Sequence, residues 1–293
     1  MSTDEPTVNM TLMPTVQSIA ALLERFAPSR LAEEWDNVGL LVGDPASEVR
    51  RLMTCLTITP ASLAEALDRQ ADLIVTHHPL PFRPLGRLTT ETNEGRLLLD
   101  LIAGRVAVYS PHTAFDSAAS GINQRLAAGL ALDDITPLVA HQDAHQDAHQ
   151  DIAPDDIESE EENPALGSGR WGHVDPGVTL ADITDRVKSF LTIDCVRVVG
   201  ADFQPITRVA TACGNGGTLL DAAQRVGCDC LVTGETNFHT CLEAQAAGVA
   251  LVLPGHFASE RFAVEALAER LADDLAGVDV WASQHEHDPL RTL

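Results

Sequence analysis

Short apolar runs alternate with amphipathic stretches along most of the chain. The runs at residues 52–58, 72–77 and 106–110 have the length and β-branched content of buried strands. Between them, residues 60–70 and 93–103 carry apolar side chains at helical spacing. Because strands and helices follow each other in this order, the pattern predicts an α/β fold with mainly parallel sheets and helices on their faces.

The same alternation returns in the second half of the chain. Further strands are predicted at residues 196–200, 208–212, 229–233 and 249–253, with a candidate edge strand at 278–282. Further helices are predicted at residues 16–26, 120–128, 180–191, 218–226, 239–247 and 259–275.

The two halves also resemble each other in sequence. Residues 53–78 parallel residues 209–235, and residues 106–116 parallel residues 249–260. Ordinary α/β patterning could produce the first likeness by convergence, but both members of the second pair end in His-x-x-x-acid, which a fold alone does not require. We therefore predict two pseudo-repeated α/β lobes with a metal site in the cleft between them.

A low-complexity segment separates the predicted lobes. Ala-His-Gln-Asp occurs three times in residues 140–151, and an acidic run follows. We expect a first α/β half at residues 1–137, an acidic insertion at 138–168 and a second α/β half at 169–293. The insertion either catches metal through histidines spaced four apart or is disordered. We favour disorder because the segment has little apolar surface to bury.

Imidazole and carboxylate groups follow three of the predicted strands. They are His77 and His78 after the strand at 72–77, His112 and Asp116 after the strand at 106–110, and His256 and Glu260 after the strand at 249–253. A histidine pair alone is equally consistent with a polar strand end. Because the carboxyl ends of parallel strands meet at one edge of a sheet, the three groups together indicate a shared site.

Neutral imidazole and carboxylate suit Zn²⁺, Mn²⁺, Fe²⁺ or Co²⁺, and no C-x-x-C spacing points to a sulfur-rich site. His77 and His78 point to opposite sides of a strand, so each would serve a different ion of a pair. Asp116 and Glu260 are the candidate bridging ligands, and His256 reaches the same centre. A water bridging two divalent ions would be the nucleophile, and an open position would take an oxygen of a small anionic or carbonyl substrate.

Three further residues are candidates for ligand or supporting roles. His112 is either a further ligand or, as we prefer, a group that orients Asp116. Glu235 and His239, from the repeated half, are weaker candidates for supporting or acid–base groups.

Two other motifs are less specific. Trp35 is interpreted as a core anchor, and Asp36 as a turn former. The glycine-rich turn at residues 213–217 is a weak phosphate-binding signal because no Gly-Lys-Ser/Thr follows it. Cys213 begins this turn, and it is the one cysteine that we do not interpret simply as a small buried apolar residue.

The charge balance limits the kinds of partner that the protein can bind. The formal net charge is −24, with 43 acidic residues against 19 Lys and Arg, which disfavours direct binding to nucleic acid or to an anionic membrane. We interpret this acidic, lysine-poor surface as halophilic. No apolar run approaches the ~18 residues of a membrane span, and the N-terminus lacks the layout of a signal peptide, so we expect a cytoplasmic protein.

Six segments carry a family resemblance, namely residues 35–40, 76–79, 112–116, 169–172, 213–217 and 255–260. They resemble the dinuclear-metal-centre family of YbgI-type proteins, also called NIF-three-like and often labelled GTP cyclohydrolase type 1 type 2 homologues. The resemblance implies a metal pair held by His77, His78, Asp116, His256 and Glu260. It also implies a ring-shaped homohexamer whose sites face an internal cavity.

The resemblance leaves two kinds of function open. One is a metal-dependent hydrolase of a nucleotide or phosphoester, with GTP ring opening as the named possibility. The other is a non-enzymatic, metal-loaded oligomer with a regulatory, metal-handling or protein-binding role. The sequence shows no purine-reading motif, and the basic residues expected near the ligands are Arg83, Arg87 and Arg261.

Overall fold

The computed structural model describes residues 13–141 and 166–291. It has a mixed α/β fold of two sheets flanked by helices, which confirms the predicted fold class. The first part of the chain contains β1 (Gly39–Val42), β2 (Arg51–Cys55), β3 (Leu73–Thr76), β4 (Ala107–Ser110), α1 (Val16–Phe26), α2 (Pro60–Asp68), α3 (Asn93–Gly104), α4 (His112–Ser117) and α5 (Ile122–Gly129). The second part contains β5 (Asp133–Ala140), β6 (Gly167–His173), β7 (Arg197–Val199), β8 (Arg208–Ala212), β9 (Cys230–Thr233), β10 (Ala250–Leu253), β11 (Asp279–Ala282), α6 (Leu180–Leu191), α7 (Leu220–Arg225), α8 (Phe238–Ala247) and α9 (His256–Asp274).

The first sheet has the strand order β1-β4-β3-β2-β11. Its strands β4, β3, β2 and β11 are parallel neighbours, and β1 pairs antiparallel at the edge. The predicted edge strand is therefore present, and it comes from the C-terminal end of the chain. Trp281 of β11 lies opposite Met53 of β2, so the last strand completes the sheet of the first lobe.

The second sheet has the order β5-β6-β8-β9-β10-β7. Strands β8, β9 and β10 are parallel, whereas β5, β6 and β7 pair antiparallel with their neighbours. Ala140 of β5 pairs with Gly167 of β6. The predicted domain boundaries stay predictions, and residues 142–165, including His145 and His149, lie outside the described part of the chain.

Two aspartates show that the sheets are built alike. Asp72 accepts hydrogen bonds from the backbone N–H groups of Arg50 and Arg51 through one carboxylate oxygen. Asp229 accepts them in the same way from Thr207 and Arg208. Each aspartate precedes the parallel strand that follows the first βα unit of its sheet, as the predicted pseudo-repeat requires.

Helix α9 connects the two cores. Ala263, Leu267 and Leu271 are buried against the first sheet with α1, while Phe262 packs on the buried residues of both lobes. The helix begins directly after Gly255, whose φ of 104° suits glycine and turns the chain sharply after β10. Its first turn is thereby set between the two sheets. Within residues 13–141 and 166–291, no helix is long and apolar enough to cross a bilayer.

Candidate metal centre

The predicted ligands converge at the carboxyl ends of three strands. His77 and His78 directly follow β3, and their backbone N–H groups donate to Cys55 and Leu56. Helix α4 begins at His112 after β4 and carries Asp116. Helix α9 begins at His256 after β10 and carries Glu260 one turn later. The cleft between the sheets thus brings together groups from both lobes.

Three ligand atoms form a nearly equilateral triangle. Glu260 Oε2 lies 3.2 Å from His78 Nε2 and 3.1 Å from His256 Nε2. The two ring nitrogens are 3.3 Å apart. These three residues form one group whose ligand atoms could hold a metal ion.

A second group of donors centres on His77, which is 3% exposed. His77 Nε2 lies 3.7 Å from Asp116 Oδ1 and 3.8 Å from Glu260 Oε1. Together His77, His78 and His112 form a further set that could hold a metal ion, with one ligand atom of each within 4.8 Å of the others. Glu260 therefore presents one oxygen to each group of histidines.

In His78, His112 and His256, the ring nitrogen Nδ1 lies within hydrogen-bond distance of a polar side chain. His78 Nδ1 lies 2.7 Å from Thr57 Oγ1, and His256 Nδ1 lies 3.0 Å from Glu235 Oε1. His112 Nδ1 lies 2.7 Å from Asp36 Oδ1. Since Nδ1 is occupied in each ring, Nε2 is the nitrogen that can serve as a ligand.

His112 also has a special backbone conformation. Its φ is 26°, in a region that residues other than glycine rarely adopt. Asp36 additionally accepts hydrogen bonds from the backbone N–H and the hydroxyl of Thr113. Burial of Asp36 is outweighed by its hydrogen bonds with His112 and Thr113, which lower its pKa to about 2. The first turn of α4 is therefore fixed by one ionised carboxylate.

The charges of the centre are strongly coupled. Burial would raise the pKa of Glu260, but His77, His256 and His78 hold it well below its usual range. Burial raises the pKa of Asp116, although His77 opposes this effect. Burial lowers the pKa of His78, whereas the hydrogen bond with Glu260 and the charges nearby raise the pKa of His256 to about 9. A bound cation would neutralise the carboxylates and replace the protons on these rings.

The glycine-rich turn at residues 213–217 packs against the carboxylates. Cys213 Sγ donates to Asp116 Oδ1 at 3.2 Å, and burial raises the pKa of this thiol. A Cβ atom on Gly214 would lie 2.2 Å from Glu260 Oε1. A side chain at position 214 would therefore collide with Glu260. This contact explains why glycine occurs here without invoking a bound phosphate.

Comparison with known proteins identifies the family of the chain. A family model described as Duf34/NIF3 (NGG1p interacting factor 3) matches residues 14–289. The chain belongs to the Duf34/NIF3 family. This confirms the resemblance inferred from the sequence motifs.

Individual Duf34/NIF3 relatives match along nearly their whole length. A Clostridium acetobutylicum protein named GTP cyclohydrolase 1 type 2 homolog is 30% identical over 280 residues, covering 94% of this chain and 98% of the relative. A Lactococcus lactis protein of the same name is 32% identical over 269 residues, covering 91% and 95%. The crystal structure of a Staphylococcus aureus protein superposes with a TM-score of 0.80 at 29% identity, covering 96% of this chain and 99% of that one.

A cavity of about 640 Å³ opens beside the centre of this Duf34/NIF3 chain. Its lining includes His78, Asp116, His256 and Glu260 together with Trp35. None of the described residues that line it is Lys or Arg.

None of the arginines expected near the ligands lines the cavity. Arg83 and Arg87 are exposed and absent from the cavity lining. Arg261 donates to the backbone oxygen of Ser283 and pairs with Glu286. A substrate in the cavity would therefore meet carboxylates, rings and polar groups from the described residues.

Two sequence interpretations need revision in this Duf34/NIF3 chain. Trp35 is 61% exposed and lines the cavity, so its assignment as a core anchor is wrong. Asp36 closes a turn, as interpreted, but its carboxylate also bonds to His112 and Thr113, which the turn interpretation did not predict. Glu235 lies against His256, while His239 is exposed in the first turn of α8 with its ring against Phe238.

Proposed function

We propose that the chain is a metal-dependent hydrolase that acts on a nucleotide or phosphoester with two divalent ions, each Zn²⁺, Mn²⁺, Fe²⁺ or Co²⁺. The observation that carries this proposal is the buried donor set at the strand ends. Both ring nitrogens of His77 are buried without a hydrogen-bond partner. A buried polar group in this state is costly unless a ligand satisfies it.

The donor geometry fits such ions. The triangle of His78, His256 and Glu260, with sides of 3.1 to 3.3 Å, has the spacing expected of ligands at about 2.0–2.2 Å from one ion. We assign a second ion to His77, Asp116 and, in preference to an orienting role, His112. Glu260 would be shared by both ions. When bound, the ions would acidify a water molecule and polarise a substrate oxygen.

The residues around the ligands determine which atoms face the cavity. The carboxylates of Asp36 and Glu235 accept hydrogen bonds from Nδ1 of His112 and His256, and the hydroxyl of Thr57 lies 2.7 Å from Nδ1 of His78. Each contact directs the Nε2 of its ring inward. Cys213 donates to Asp116 Oδ1. With no Lys or Arg in the described lining, an anionic substrate would rely on the ions for charge neutralisation.

The test is hydrolysis by protein reconstituted separately with each of the four metals. GTP is the first substrate to assay, because the Clostridium acetobutylicum relative is named a GTP cyclohydrolase homolog; generic phosphoesters follow. We expect Asp116→Ala and Glu260→Gln to abolish turnover, while Glu269→Gln, on the exposed face of α9, retains it. Turnover that survives Glu260→Gln would contradict the proposal.

A second candidate is a non-enzymatic, metal-loaded homohexamer with a regulatory, metal-handling or protein-binding role. It is favoured by the missing cationic side chains in the described cavity lining. Light scattering tests the assembly, for which we expect the mass of six chains. If wild type and Asp116→Ala are equally inert and both remain hexameric, this second function is preferred.

A further inference from the structure

Two large aromatic side chains are exposed to solvent beside the candidate metal centre. Trp35 is 61% exposed and Phe82 is 38% exposed, and both line the cavity of about 640 Å³. Their ring centroids are 5.9 Å apart with the planes inclined at 69°. The His112 ring lies 6.2 Å from Trp35 and 6.1 Å from Phe82, inclined at 77° and 90°. We call these three rings the aromatic corner.

Hydrogen bonds on both sides hold the corner in place. The side chain of Asn37 donates to the backbone oxygen of Pro81 at 2.7 Å, which fixes the turn of Trp35 to the segment of Phe82. Asp36, between Trp35 and Asn37, bonds to His112 at the start of α4. The exposed rings are therefore pre-organised beside a candidate metal ligand.

We propose that the aromatic corner binds a planar heteroaromatic ring of the nucleobase type by stacking on Trp35. This deepens and rests on the proposed function, because it places the substrate among ring-containing compounds and excludes ring-free phosphoesters. A flat ring gains affinity from an aromatic face without needing a positive charge. The described cavity lining offers aromatic faces and no Lys or Arg, so a flat ring is a part of a substrate that the protein can hold without a cation.

Binding of guanosine to the full-length, zinc-loaded protein tests the corner without requiring turnover. By calorimetry we expect Trp35→Leu to weaken guanosine binding about tenfold, whereas Trp35→Phe keeps an aromatic face and stays close to wild type. Phe203→Leu is the matched control, since Phe203 is 83% exposed and does not line the cavity. Guanosine should quench the tryptophan fluorescence of the wild type and of Phe203→Leu, but quench Trp35→Phe much less.

The outcomes separate this inference from the proposed function. Loss of guanosine affinity in Trp35→Leu supports ring binding at the aromatic corner, whether or not a substrate is hydrolysed. If no substrate is hydrolysed, only the hydrolase proposal fails. If turnover is found, Trp35→Leu should raise KM for GTP, whereas Phe203→Leu should leave it unchanged.

Three results would contradict the proposal that the aromatic corner binds a nucleobase-type ring. One is the absence of guanosine and adenosine binding to wild type at millimolar concentration. Another is equal guanosine affinity in wild type and Trp35→Leu. The third is a change of oligomeric mass in Trp35→Leu with unchanged guanosine affinity, which would make Trp35 a contact between subunits.

Discussion

At the scale of single residues, the histidines of the centre differ in the group that holds Nδ1. Asp36 and Glu235 are carboxylates, but the partner of His78 is the neutral hydroxyl of Thr57. Supporting partners of this kind typically change metal affinity by about 10- to 100-fold when removed. Thr57 therefore offers a way to weaken the centre without altering charge.

We expect Thr57→Val to lower zinc affinity about tenfold, because the His78 ring loses the bond that fixes its orientation. Competition with a chromophoric chelator measures the affinity. Thr57→Ser keeps the hydroxyl and should behave as wild type. Equal affinities of the valine and serine variants would show that Thr57 does not position His78.

The candidate ligands could be predicted from the sequence, whereas among their supports only Glu235 could be, through the repeat. His77, Asp116 and Glu260 combine a restricted set of metal-binding side chains with positions after apolar strands. A hydroxyl or carboxylate in a turn, as in Thr57 and Asp36, has many structural uses, and only the folded chain brings it to a ring nitrogen. Exposure of Trp35 could not be predicted because apolar character favours burial, and local sequence does not reveal a cavity mouth.

At the scale of elements, one buried arginine joins β6 to the end of α4 and to α5. Arg170 is 1% exposed. Its guanidinium donates to the backbone oxygens of Gly167, Gly169, Ser117 and Ala118 and to the side chain of Gln124. Among the described residues, no carboxylate forms an ion pair with it at 4.0 Å or less, so the cation is stabilised by carbonyl dipoles.

Arg170→Met should destabilise the protein strongly, because it leaves these buried oxygens without donors. At about 1–3 kcal/mol for each unsatisfied group, partly relieved by relaxation, we expect a loss of about 4 kcal/mol in the free energy of unfolding. Urea denaturation followed by circular dichroism measures it. Arg50→Met removes an exposed arginine and should cost less than about 1 kcal/mol; similar costs for both variants would contradict this interpretation.

A carboxylate on α2 attaches the segment that follows β11. Glu65 accepts hydrogen bonds from the Ser283 hydroxyl and from the backbone N–H groups of Gln284 and His285. Burial alone would raise the pKa of Glu65, but these hydrogen bonds outweigh it and lower the pKa. A lowered folded-state pKa stabilises the protein above the unfolded-state value, and this contribution is lost as the pH falls through the folded-state value.

We expect Glu65→Gln to lower the free energy of unfolding by about 2 kcal/mol at pH 7. The difference from wild type should shrink once the pH falls below the ordinary glutamate value of about 4.3. Urea titrations at a series of pH values provide the measurement. A difference that is constant over this range would show that the charge of Glu65 is not responsible.

The strands differed in how well their sequences indicate them. β3 and β10 are buried throughout and were predictable as apolar runs. β5 was not predicted, because Leu138 is its one buried residue and Pro137 lies within it. The strand β11 was predictable from its apolar residues. The sheet that it joins was not, because its partner β2 is distant in sequence and is brought to it only by the complete fold.

At the scale of the whole molecule, the net charge of −24 should make stability depend on salt. Mutual repulsion of carboxylates opposes compaction, and about 1 M salt screens it to within ~3 Å. We expect the melting temperature to rise by several degrees between dilute buffer and about 1 M KCl. Full stability in dilute buffer would count against the halophilic interpretation.

The placement of β11 has a consequence for synthesis on the ribosome. Strands β1 to β4 emerge first, yet the edge of β2 that faces away from β3 has no neighbour in the sheet until β11 is translated. Until then a nascent chain displays an open sheet edge, which is prone to pairing with other chains. Helix α9, with the candidate ligands His256 and Glu260, emerges just before β11, so the donor set of the candidate metal centre is translated before the first sheet can close.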